Sequence, residues 1–189
     1  MIYPITLYGD PILKRSAQEI IPDQVDLTVL VSDMFETMSH ANGVGLAAPQ
    51  IGKSLRIFVV DSTPMKASEE PIKSGLRQAF INPEIIEEYG EKWPFEEGCL
   101  SVPGLSWNII RPKVIYITGY DLSGNEISIE ADELESRLYQ HEMDHLDGKL
   151  LLEYLDEDQQ LDAKRILRRR IMDQQETPRT GLTGFDSAS

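Results

Sequence analysis

The sequence predicts an α+β fold: a single domain of antiparallel sheets packed around a central helix that carries two histidines, with further helices toward the N- and C-terminal ends. Three observations predict it. Strand-like and helical segments follow one another without the strict alternation that a parallel sheet would need. The connection DLSGN at 121–125 joins two β-rich segments and holds the Asp, Gly and Asn expected of a hairpin. A chain of 189 residues can bury one core of ordinary size without disulfides.

The elements follow in order. From Asp26 to Ala41, apolar residues at Leu27, Leu30, Val31, Met34, Phe35 and Met38 keep the i, i+3, i+4 rhythm of an amphipathic helix, which Asn42 and Gly43 end. The next stretch, GVGLAAPQIG at 43–52, is too rich in small residues for a packed element and reads as a loop feeding a buried strand over Leu55–Val60. Ser62–Gln78 lacks periodicity and reads as a surface excursion. Phe80–Glu87 is a second strand, and Val114–Tyr120 with Glu126–Glu130 forms the hairpin. Asp132–Asp147 regains the helical rhythm with Gly148 as its C-terminal cap, and Asp158–Gln175 is a last helix. Residues 1–175 are expected to form the domain and 176–189 a disordered tail.

Composition narrows the class. No apolar run approaches the length of about 20 residues that spans a membrane. The N-terminus places its basic residues after a mildly apolar stretch and has no small-residue cleavage site, so it does not read as a signal peptide and a cytoplasmic protein is expected. A net charge of −14, from 32 acidic and 18 basic side chains, argues against a whole-surface nucleic-acid binder, and no DNA partner is expected. Five of those 18 nevertheless crowd into positions 164–170, as Lys164, Arg165, Arg168, Arg169 and Arg170. Cys99 is the lone cysteine, so it is a buried hydrophobe, a reactive thiol or a metal ligand.

The strongest chemical signal is His141-Glu142-Met143-Asp144-His145. Histidines four apart project from one helix face and can grip one metal ion, while a glutamate one step round can reach a water beside it. Leu134 and Leu138 share the histidine face. A catalytic site of this kind keeps three protein ligands and an open position. Cys99, His40 and any carboxylate are candidates for the third. Cys99 stands in EGCLSVPG at 97–104, where glycine lets the backbone bend close to another group, whereas His40 near the end of the first helix suits its dipole.

Three strings, GVGLAAPQIG at 43–52, EGCLS at 97–101 and QHEMDHLDG at 140–148, resemble the signature motifs of peptide deformylases, and they occur in that family's order. The resemblance implies a catalytic domain that removes the formyl group from N-terminal formyl-methionine of newly made proteins. It implies a divalent metal on Cys99, His141 and His145: Fe2+ in the cell, with Zn2+, Ni2+ or Co2+ able to replace it in a purified sample. Glu142 would be general base and acid, and Gln50 with the backbone N–H of Leu100 would stabilise the oxyanion. For the substrate, the small residues around Gly45 would let an extended peptide come close, and Leu134 and Leu138 on the histidine face, with Val44 beside the glycine loop, are candidates for an apolar methionine pocket.

Two readings from other classes stand beside it, an H-E-x-x-H metallopeptidase and a non-enzymatic metal-binding module on the ribosome. One departure concerns the peptide: some family members carry an arginine soon after EGCLS, whereas this chain has Ser106 in that region. Arg137 could substitute, although a solvated helix arginine is the plainer expectation. The last helix is expected to turn Leu161, Ile166, Leu167 and Ile171 inward and its basic run outward. That run could dock on ribosomal RNA, in keeping with family members that use a C-terminal helix in this way, or simply be a solvated face.

Overall fold

The computed structural model describes residues 1–21, 26–64, 66–67, 70–71 and 75–176. The first helix, α1, runs from Leu27 to His40, and Asp26 starts it by accepting from the backbone N–H groups of Thr28 and Val29. Its buried face, Leu30, Val31, Met34, Phe35 and Met38, is the apolar stripe predicted from the rhythm. The strands are β1 (Gly45–Ala47), β2 (Ile57–Asp61), β3 (Lys66–Ala67), β4 (Glu70–Pro71), β5 (Arg77–Cys99), β6 (Val102–Tyr120) and β7 (Glu126–Asp132). Five of them build one antiparallel sheet in the order β1-β2-β5-β6-β7, and β3 with β4 forms a separate two-stranded pair.

The helix α2 (Glu133–Leu146) lies on this sheet and carries both histidines of the motif. Its Leu138, Tyr139, Met143 and Leu146 bury against Phe58, Val60, Phe80, Ile115 and Ile117. Tyr139 meets Phe80 with ring centroids 5.2 Å apart. The seat is a continuous apolar surface, so the opposite edge of α2 is held at a fixed height above the sheet. Gly148 lies just past the helix end, as the sequence predicts. The last helix, α3 (Glu157–Glu176), packs Ala163 and Leu167 against Val102, Ile109, Leu151 and Leu152.

Several expectations need correction. The small-residue stretch after α1 is no unpacked loop: β1 and a 3-10 turn at Ala48–Ile51 occupy it, and Leu46, Ala47 and Ala48 are fully buried. Small side chains are what let this backbone lie close between α1 and α2. The strand at Phe80–Glu87 is part of a 23-residue strand, and the segment before Val114 belongs to a 19-residue partner. Their middle portions stand partly in solvent, and their pairing shifts register four times along its length, which hides the period-2 pattern. Leu161 and Ile166 face solvent, because the inward stripe of α3 runs through Ala163 and Leu167 instead. The expected tail lies outside the described residues beyond Glu176, as does part of the Ser62–Gln78 segment. Among the described residues, no helix is long and apolar enough to cross a membrane.

Candidate active site

The tip of the β5–β6 hairpin brings Cys99 to the face of α2. Its Sγ stands 3.3 Å from His145 Nε2, and one ligand atom each from Cys99, His141 and His145 lie within 4.8 Å of one another. Burial opposes ionisation of Cys99, yet the facing His145 and His141 outweigh it and hold the thiol well below its ordinary value. A soft thiolate with two imidazoles suits a borderline or soft divalent ion, and the clustering of the three donors fits such a guest. His40, the other histidine, sits exposed at the end of α1 and is no part of this group.

Glu142 projects beside the cluster. It is 3 % exposed, and its Oε2 is buried with no hydrogen-bond partner. Burial pushes its carboxyl up to about 7, against the pull of His141 and His145. A buried carboxyl oxygen with nothing to bond is unusual and marks a place where a reacting group can be received. Gly45 explains how the strand opposite comes so close: a Cβ there would lie 2.4 Å from Glu142 Oε1 and 2.9 Å from a methyl of Leu138.

Gln50 reaches the same spot from the 3-10 turn after β1. Its Oε1 accepts from the backbone N–H of Ala47 at 3.0 Å, which fixes the amide so that Nε2 points to Ser101 Oγ at 3.2 Å and Cys99 Sγ at 3.7 Å. Leu100 follows Cys99 at the hairpin tip. Together these groups border a cleft of about 480 Å³ whose lining includes Val44, Gly45, Gln50, Cys99, Leu100, Leu134, Leu138, His141 and Glu142. Of the residues that the sequence reading assigned to metal, catalysis and substrate, all but His145 line it; His145 is buried against Cys99.

The sequence reading missed what holds His141. Glu97 Oε1 lies 3.0 Å from His141 Nδ1, and the same carboxylate is clamped by Arg111 at 2.8 and 3.0 Å and by Arg137 at 2.5 Å. Burial alone would raise Glu97, but His141 and Arg111 hold it down at about 2. Arg137 is therefore not a solvated arginine. It is 3 % exposed, donates to the Ile109 and Trp93 carbonyls, and lies over the Trp93 ring at 4.7 Å. An acid two residues before the cysteine of EGCLS was the available signal for Glu97, whereas nothing local points to Arg111.

A helix that offers imidazoles and a buried carboxyl to a cleft, with a thiol delivered by a hairpin tip, is the layout of a metal-dependent hydrolase. Comparison with known proteins narrows that class. The family model described as polypeptide deformylase matches residues 2–161. A peptide deformylase of Cytophaga hutchinsonii is 46% identical over 155 residues, covering 82% of this chain and 83% of its own. Among solved structures, the peptide deformylase of Ehrlichia chaffeensis superposes with a TM-score of 0.85 at 34% identity, covering 93% of this chain and 99% of that one. One from Legionella pneumophila gives 0.83 at 36% identity, with 94% and 100% covered. The chain belongs to the polypeptide deformylase family, metal-dependent hydrolases that remove the N-formyl group from nascent peptides. The metallopeptidase and non-enzymatic readings find no support among these relatives.

Proposed function

We propose that Cys99, His141 and His145 hold the single divalent ion of this deformylase, ferrous in the cell and replaceable by zinc, nickel or cobalt, and that Glu142 moves the proton. The observation that carries this reading is the set of three donor atoms within 4.8 Å of one another, flanked by the unpartnered oxygen of Glu142. A divalent ion held there supplies Lewis acidity and brings the pKa of water toward neutrality. Glu142 takes the proton of the attacking water and later passes it to the leaving amine, so formate and a free N-terminus are released. Gln50 Nε2 and the backbone N–H of Leu100 are donors for the oxyanion that forms on the formyl carbon. The ordered amide of Gln50 supports this, since a donor already fixed by Ala47 costs no reorganisation when charge develops.

The formyl-methionyl end lies with its side chain among Val44, Leu134 and Leu138 and its backbone along Gly45, where the lack of a side chain admits an extended peptide. Residues 1–175 form the catalytic domain, and the enzyme works in the cytoplasm on formylated nascent chains. The outer face of α3, where Lys164, Arg165, Arg168 and Arg169 gather around exposed Leu161 and Met172, meets ribosomal RNA phosphates. Cys99→Ala tests the ligand set. Metal content and activity should fall together, because one of three donors is lost, and full occupancy in that variant would remove Cys99 from the set.

A further inference from the structure

We propose that Arg170, on α3, is a positioning residue for the part of the peptide beyond the formyl-methionine: it fixes the cleft edge formed by Pro103–Ser106. Gly104, Leu105 and Ser106 line the cleft, and they belong to the same hairpin tip that carries Cys99 and Leu100. No charged side chain occurs from Val102 to Ile110. This edge draws its cation from another element. Arg170 Nη1 donates to the Pro103 carbonyl at 2.9 Å. Gly104 is the residue that admits the guanidinium, since a Cβ there would sit 2.1 Å from Nη1, and its φ of +73° is one that other residues adopt only with strain.

Two contacts therefore tie the edge to α3. Leu105 packs on the cluster that contains Leu167, and Arg170 holds the carbonyl three residues later along the helix. The far end of the edge is pinned to β5, where Ser106 pairs with Gly98 and its hydroxyl donates to Glu96 at 2.7 Å, and Arg170 is the polar tie that holds the near end at Pro103 to α3. Arg170 thus does a different task from its basic neighbours. Lys164, Arg165, Arg168 and Arg169 border the outer groove of α3, whereas Arg170 turns back toward the tip. Arg170 is exposed, as expected of the whole run, but its guanidinium also bonds the Pro103 carbonyl.

This inference rests on the reading of the cleft as the peptide site. The test compares metal-loaded full-length enzyme on formyl-methionyl-alanine and on a longer formyl-methionyl peptide that extends past the cleft edge. Arg170→Met should raise KM for the longer peptide roughly fivefold, the size of one lost solvent-exposed hydrogen bond, with kcat and metal content unchanged and the short substrate unaffected. Arg170→Lys, which keeps one donor, should recover most of that loss. An unchanged KM for the longer peptide, or an equal loss on the short one, overturns the proposal. Should wild-type enzyme release no formate from either peptide, the underlying reading of the cleft fails instead.

Discussion

Glu97 and His141 are joined across two elements, with Oε1 of the β5 carboxylate 3.0 Å from Nδ1 of the α2 imidazole. That bond occupies Nδ1 and leaves Nε2 as the nitrogen available to a metal, so it sets both tautomer and ring orientation. Replacing Glu97 by Gln keeps the shape but weakens the acceptor. We expect metal affinity to fall about 10–100-fold in a chelator competition, before any activity is measured. Affinity equal to wild type would make Glu97 a partner of the two arginines only.

Gly45 gives a second prediction. Its backbone lies against both Glu142 and Leu138, so Gly45→Ala must push one of them aside. A displacement of the proton carrier near 1 Å is expected to lower kcat about 10²-fold while the metal remains bound. Full activity in that variant would mean that Glu142 can move without penalty, which contradicts the role given to it.

For Gln50→Leu, a fall in kcat on the order of 10²-fold or more is expected, with metal content unchanged, as when one preorganised oxyanion donor is removed. Steady-state kinetics separate this from a binding effect. A change confined to KM would assign Gln50 to substrate binding and not to the developing charge.

The outer face of α3 is tested by Arg168→Gln combined with Arg169→Gln, which leaves Arg170 in place. Ribosome binding should weaken and lose about one unit of salt slope for each phosphate contact removed. Turnover of a short formyl-methionyl peptide should stay as in wild type. Equal ribosome affinity would make this face ordinary solvated charge.

What could be read in the sequence was whatever local pattern encodes. The stripe of α1 and the helix bearing His141 and His145 follow from spacing, and the structure forms both at the predicted places. The three motifs hold Val44, Gly45, Gln50, Cys99, Leu100, His141 and Glu142, which line one cleft, and His145, which is buried against Cys99. What the sequence hid depends on pairing across long distances. The 23-residue β5 shows no alternation because its central part is exposed on both faces and broken by register shifts. Arg137 reads as a helix-surface residue until β5 and β6 place Glu97, Trp93 and Ile109 around it. Arg111 likewise gains meaning only from joining Glu97 to Asp144, which it meets at 2.8 Å.

The most direct test of the account is formate release and metal content measured side by side for Glu142→Gln. The amide fills the same space, so the three donors around it are left undisturbed, but it can no longer take or return a proton. The expected result is metal content equal to wild type with turnover of a formyl-methionyl peptide almost abolished. A variant that keeps its metal and still releases formate at the wild-type rate would contradict the account, because the proton would then be moved by some other group.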